Sequence, residues 1–211
     1  MPKTTDALLV VDVQNDFMPG GALAVPGGDE IVPLVNRLAA GFANVILTQD
    51  WHPAGHISFA SSHPGRKPLE TKKLRYGLQV LWPVHCVQGT EGAALHRDLS
   101  IPHAQLLIRK GCHRRVDSYS AFLEADRKTR TGLDGYLKSR GIQRVFCAGL
   151  ATDFCVAWTA LDARRFGFQA VVIEDGCRAI DVDGSLDAAW KEMIKADVRR
   201  LSSGNLPGRA S

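Results

Sequence analysis

The chain has 211 residues, 45% of them hydrophobic and 23% charged, and a formal net charge of +4, a globular composition that excludes a disordered or fibrous protein. The basic residues are scattered, and the densest group, Arg109-Lys110 with Arg114-Arg115, lacks the interleaved aromatics on which bases stack, which argues against a nucleic-acid partner. Five cysteines at irregular spacing, with no CxxC pair, make neither a disulfide framework nor a zinc ribbon.

Residues 7–11 form a continuous apolar run, as in a strand buried on both faces. The run is too short for a signal sequence or a membrane span, so a cytoplasmic protein without membrane contact is expected. Asp12-Val13-Gln14-Asn15-Asp16-Phe17 leads into a Pro/Gly turn. Asp29 is placed to cap a helix over 30–42, with Pro33 near its start and Gly41 near its end. A second strand over 45–48 runs into Gln49-Asp50-Trp51-His52-Pro53. From about 50 to 105 no strong regular element is predicted; the stretch is rich in His, Pro and Gly, and a loop of that length is usually a lid or binding region.

A third strand over 105–108 ends in Arg109-Lys110-Gly111, and a helix over 131–140 stops at Gly141. The apolar run 145–148 then passes through Gly149-Leu150-Ala151-Thr152-Asp153-Phe154-Cys155 into a helix ending near Gly167. A strand over 170–173 follows, and Ser185 is placed to cap a last helix through Val198, with Leu186, Trp190, Met193 and Ile194 as one buried stripe. The tail after Leu201 is Ser/Gly/Pro-rich and predicted to fray.

Alternating strands and helices predict a three-layer α/β/α fold with a mostly parallel central sheet, as a single domain over 1–211. In such folds ligands sit beyond the carboxyl ends of the strands, and here successive strands end at Asp12, Asp50, Lys110 and Cys155. Cys155 falls in the first turn of a helix, where the helix dipole favours thiolate. It reads either as a nucleophile, which would react with alkylating agents well below the pH an ordinary cysteine needs, or as a small buried hydrophobe. Asp12 is the base for such a thiol or a strand-end carboxylate bonded to backbone, and Lys110 bridges the two or lies on the surface. Backbone N–H groups of Ala151 and Cys155 are the candidate oxyanion donors. Cys112 is a rival nucleophile ranked lower, because no helix start follows it. Asp50 and His52, two apart at a strand end, with a third imidazole from the long loop, His56 or His85, offer three metal ligands with open positions.

The segments 11–17, 48–53, 82–90, 110–111 with 117–122, and 149–156 together resemble the nicotinamidases within the isochorismatase-like hydrolases. They occur in family order across almost the whole chain. The resemblance implies a catalytic triad of Cys155, Asp12 and Lys110. It also implies a divalent metal, zinc or else iron or manganese, on Asp50, His52 and His85, and a cis peptide at Leu150–Ala151. Phe17 and Trp82 would flank the substrate ring. The implied reaction is hydrolysis of nicotinamide to nicotinate and ammonia through a cysteine thioester, in NAD salvage, with pyrazinamide a further substrate. Two alternatives stand beside it: a superfamily amidase acting on N-carbamoyl or ureido compounds, and a non-catalytic ligand-binding member. The expected partner is the small-molecule substrate; a homo-oligomer is left open.

Overall fold

A computed structural model describes residues 2–206. The first strand, β1 (Asp6–Val11), is buried along its whole length. Its side chains alternate between two cores, because successive residues of a strand point to opposite faces. Ala7, Leu9 and Val11 join one apolar cluster, whereas Leu8 and Val10 join the other. Helix α1 (Val32–Ala39) covers the second face through Val35 and Leu38. Helices α2 (Leu133–Ser139), α3 (Ala157–Arg165) and α4 (Ser185–Lys195) cover the first through Leu137, Ala160 and Met193. This is the predicted three-layer arrangement.

The remaining strands of the sheet are β2 (Val45–Asp50), β5 (Leu106–Lys110), β6 (Arg144–Leu150), β7 (Gln169–Arg178) and β8 (Arg199–Leu201). With β1 they run in the order β5-β2-β1-β6-β7-β8, and every neighbouring pair is parallel. The chain progresses from β1 outward through β2 to β5, then crosses to β6 on the other side of β1. That reversal opens a crevice at the carboxyl ends of β1 and β6. Gly149 lies at a register shift in β6, with φ +131°, and a Cβ there would meet the Val11 carbonyl oxygen at 2.0 Å. Only glycine lets the end of β6 lie this close to β1.

Several local features depart from the sequence reading. A hairpin, β3 (Thr71–Leu74) and β4 (Gly77–Val80), stands in the stretch read as irregular. Its residues are mostly exposed or half-buried, so it lacks the apolar alternation that marks a strand. Asp29 sits inside a short 3-10 turn (Gly28–Ile31) and does not cap α1, which is shorter than predicted. Ser185 does not cap α4; its hydroxyl donates to the Asp153 carboxylate at 2.5 Å. Ile194 is 62% exposed and falls outside the buried stripe of α4. Past Leu201 the chain makes a turn (Ser203–Asn205) bonded to Asp175, and Leu206 is buried, so this part of the tail is held down. Residues 207–211 of that tail lie outside the described residues. Among the described residues no helix is long and apolar enough to cross a membrane.

Candidate active site

The register of the sheet brings the strand-end residues together. Asp50 pairs with Lys110 across β2 and β5, and β1 lies between β2 and β6. Asp12 follows β1 directly in a left-handed backbone conformation, φ +48°, that non-glycine residues rarely adopt. Its amide donates to the Thr48 hydroxyl at 3.1 Å, and that hydroxyl donates back to the carboxylate at 2.6 Å. Cys155 is carried by a π-helical turn (Thr152–Val156) that precedes α3, in place of the simple first α-turn expected. The Leu150–Ala151 peptide that leads into this turn is cis, at the position implied by the family resemblance.

Lys110 reaches all three acidic partners. Its Nζ lies 2.8 Å from Asp12 Oδ2 and 3.3 Å from Cys155 Sγ, and it also donates to Asp50 Oδ1. Asp12 and Lys110 are fully buried, and Cys155 is 6% exposed. Burial alone would lower the lysine pKa, but Asp12, Asp50 and Cys155 hold it well above the ordinary value, so Lys110 is a fixed cation. Burial pushes the Asp12 carboxyl above its ordinary range, against the pull of Lys110. Burial pushes the Cys155 thiol well above the ordinary thiol value, with Lys110 opposing and Asp12 and Asp50 reinforcing the rise. The helix-terminus argument for a ready thiolate is therefore overridden by desolvation and two nearby carboxylates. The thiol sulfur and a carboxylate oxygen of Asp12 lie within 4.8 Å of each other, with Lys110 bonded to both residues.

Beside this cluster, Asp50, His52 and His85 bring one potential ligand atom each to within 4.8 Å of one another. Asp50 divides its two oxygens: Oδ1 accepts from Lys110, whereas Oδ2 faces His52 Nε2 at 3.5 Å and His85 Nε2 at 3.9 Å. His52 Nδ1 donates to the Gly111 carbonyl at 3.0 Å and His85 Nδ1 to the Pro83 carbonyl at 2.8 Å. Each backbone bond engages Nδ1 and turns Nε2 toward Asp50, the nitrogen a metal would take. Against the effect of burial the Asp50 carboxylate raises the His52 pKa, so His52 would give up its Nε2 proton on binding a metal. Burial and His52 together push His85 down to about 4, which keeps it neutral. Burial would raise Asp50, but Lys110 and His52 hold it far below the ordinary carboxylate range, so it stays anionic. This donor set fits a divalent cation.

His56 stacks on His52 with ring centroids 4.2 Å apart and can face one point with His52 and Asp117. Both its nitrogens are engaged, Nε2 with the His113 and Val116 carbonyls at 3.1 Å and Nδ1 with the Ser58 hydroxyl at 2.7 Å. Cys112 is exposed and its thiol is raised by burial of its inner part and by Glu124.

Cys155, Asp50, His52 and His85 line one cavity. Phe17 and Trp82 form part of its wall, as the family resemblance implies. Tyr119 and Phe154 complete an aromatic lining that sequence reasoning did not assign. Trp82 packs edge-on against Phe154 at 4.8 Å and donates its indole N–H to the Tyr119 hydroxyl at 3.0 Å. Both residues lie inside the family-like segments, yet nothing in their spacing marks them as facing a ligand. Leu23, Asp117 and Ile180 also line the cavity and were likewise unassigned.

Comparison with known proteins agrees with this geometry. Residues 6–202 match the Isochorismatase domain family. A nicotinamidase of Acinetobacter baylyi is 60% identical over 200 residues, covering 95% of this chain and 94% of its own. The solved structure of an Acinetobacter baumanii nicotinamidase/pyrazinamidase superposes with a TM-score of 0.97 at 60% identity, over 98% of this chain and 100% of that one. A Pyrococcus horikoshii pyrazinamidase, solved in complex with zinc, superposes with a TM-score of 0.76 at 34% identity, over 94% of this chain and 99% of that one. The chain belongs to the isochorismatase domain family and, within it, to the nicotinamidases.

Proposed function

We propose that this chain hydrolyses nicotinamide to nicotinate and ammonia through a thioester on Cys155, as a step of NAD salvage, and accepts pyrazinamide as well. The observation that carries this reading is the contact of Lys110 with Asp12, Asp50 and Cys155, of which Asp50 and Cys155 line an aromatic cavity. A flat heteroaromatic amide suits walls of Phe17 and Trp82 better than a flexible carbamoyl or ureido chain does. A non-catalytic binder would have no use for a buried thiol set against a lysine and a carboxylate.

In this mechanism Asp12 takes the thiol proton as Cys155 Sγ attacks the carboxamide carbon. The developing oxyanion is held by the backbone N–H groups of Ala151 and Cys155. Collapse breaks the carbon–nitrogen bond, and Asp12 returns its proton to the departing ammonia. Water then attacks the thioester, Asp12 accepts its proton, and the sulfur leaves and regains a proton. Lys110 keeps its charge throughout and stabilises whichever of the two groups is anionic. Asp50, His52 and His85 would hold a divalent metal, zinc by preference, which would supply a fixed positive charge for orienting the substrate ring. Phe17 and Trp82 clamp the ring so that the carboxamide carbon faces Sγ.

The experiment is ammonia release from nicotinamide by the metal-replete protein, with Cys155→Ala alongside. The expected result is turnover that the variant loses by about 10⁴-fold or more while ligand binding survives. Turnover of N-carbamoyl or ureido compounds in place of nicotinamide would overturn the substrate, and a near-normal rate for the variant would overturn the nucleophile.

A further inference from the structure

The loop that follows β1 does more than supply Asp12. Gln14 is fully buried, and its side-chain amide pairs with the main chain of Asp50 in both directions. It donates to the Asp50 carbonyl at 2.9 Å and accepts from the Asp50 amide at 2.7 Å. Its second N–H donates to the Ala93 carbonyl at 2.8 Å. In effect one side chain stands in for a neighbouring strand at the point where β2 ends. Asp16 acts on the two segments that carry the imidazoles of His85 and His52. Its Oδ2 accepts from the Cys86 amide at 2.6 Å, immediately after His85, and holds Cys86 in a left-handed conformation of φ +46°. The Cys86 carbonyl in turn accepts from the His52 amide at 2.9 Å. Gly92 lets this carboxylate in, since a Cβ there would meet Asp16 Oδ2 at 2.3 Å.

We propose that Gln14 and Asp16 are positioning residues for the Asp50–His52–His85 site, each acting through main-chain bonds and neither touching metal or substrate. The inference rests on reading those three side chains as a metal site. Its physical basis is that a ligand set needs its three donors held to within a fraction of an ångström, and the donors come from two distant parts of the chain. β2 and the residues just past it supply Asp50 and His52, and the long loop supplies His85. The segment 14–16 is bonded to both. The triad shares with this site the bond from Lys110 to Asp50 Oδ1, but Asp12 is held by Thr48 and Lys110, and Cys155 by the turn after β6. Loss of Gln14 or Asp16 should therefore damage the metal site far more than the triad.

The test uses the full-length protein with three variants, Gln14→Leu, Asp16→Ala and Asp16→Asn. Zinc affinity is measured by chelator competition, the ligand field by the visible spectrum of the cobalt-substituted protein, and triad integrity by alkylation of Cys155 in metal-free protein. Zinc affinity is expected to fall about 10- to 100-fold in Gln14→Leu and Asp16→Ala, with a changed cobalt spectrum. The alkylation rate and its pH profile should change far less than zinc affinity does. Asp16→Asn should recover most of the loss, because its amide oxygen still accepts from Cys86. Wild-type zinc affinity and an unaltered cobalt spectrum in both disruptive variants would overturn the proposal, as would parallel loss of zinc binding and Cys155 reactivity. Failure of the wild-type protein itself to bind zinc would instead overturn the metal reading on which it rests. Asp16 is only half-buried, so Asp16→Ala keeps the test open even if Gln14→Leu does not fold.

Discussion

Lys110 donates to the one oxygen of Asp50 that does not face the imidazoles, and so ties the Asp12–Cys155 pair to the Asp50–His52–His85 cluster. The same ammonium touches Asp12 and Cys155. Two buried carboxylates and a thiol share a single cation. Desolvating so much potential charge is tolerable only because the cation is central.

Removing it should be expensive. In Lys110→Met the Asp12 and Asp50 carboxylates remain buried with their main countercharge gone, and the expected loss is about 3–5 kcal/mol of stability. Urea denaturation of metal-free protein measures it. A loss under about 1 kcal/mol would mean that the carboxylates are satisfied without Lys110.

The pH dependence follows from Asp12. Its carboxyl is raised, so on acidification it binds a proton at a higher pH than an ordinary carboxylate, and a protonated Asp12 cannot take the thiol proton. The acid limb of kcat/KM should therefore lie above the usual carboxylate range. The Thr48 hydroxyl donates to the anionic form and lowers the Asp12 pKa. Thr48→Val should move that limb upward, by about one pH unit. A limb that stays in place, or moves down, would contradict the role given to Asp12. The thiol itself should be slow to alkylate until the pH exceeds the ordinary cysteine range, since its pKa is raised.

Metal removal should separate binding from chemistry. Stripping with a chelator is expected to raise KM for nicotinamide strongly, and adding zinc, iron or manganese should restore it. Steady-state kinetics on stripped and reloaded protein supply the comparison; identical constants in thoroughly stripped protein would remove the metal from the reading.

Gly111 is a backbone position with consequences for the metal set. Its φ is +64°, and a Cβ would meet His52 Cε1 at 2.4 Å, in the ring whose Nδ1 bonds the Gly111 carbonyl. Gly111→Ala should cost about 1–2 kcal/mol for the left-handed backbone alone, and should turn His52 and weaken zinc binding by about tenfold or more. Thermal melts and chelator competition read the two effects separately; unchanged zinc affinity would show that the ring can move aside freely.

Much of the molecule is legible in the order of its residues. The strands at β1, β2 and β6 announce themselves by apolar runs, because a sheet buried on both faces leaves little room for polar side chains. The turn residues after them place Asp12, Asp50, Lys110 and Cys155 at strand ends, and parallel order alone then puts them on one edge. The hairpin β3–β4 and the edge strand β8 are not legible, since a half-exposed or three-residue strand has too little burial to impose a pattern.

Other properties belong to the tertiary structure alone. The sign of the Cys155 shift depends on desolvation and on the distances to Lys110, Asp12 and Asp50, three residues far away in the chain. Tyr119 and Phe154 become cavity walls through the packing of separate loops around Trp82. The work of Gln14 and Asp16 is done through hydrogen bonds to backbone atoms of residues 36 and 70 positions away. Residue identity determined which chemistry this chain carries, whereas the spacing and charge state of those groups came from long-range packing, because electrostatic and hydrogen-bond energies depend on separation in space and not on position in the chain.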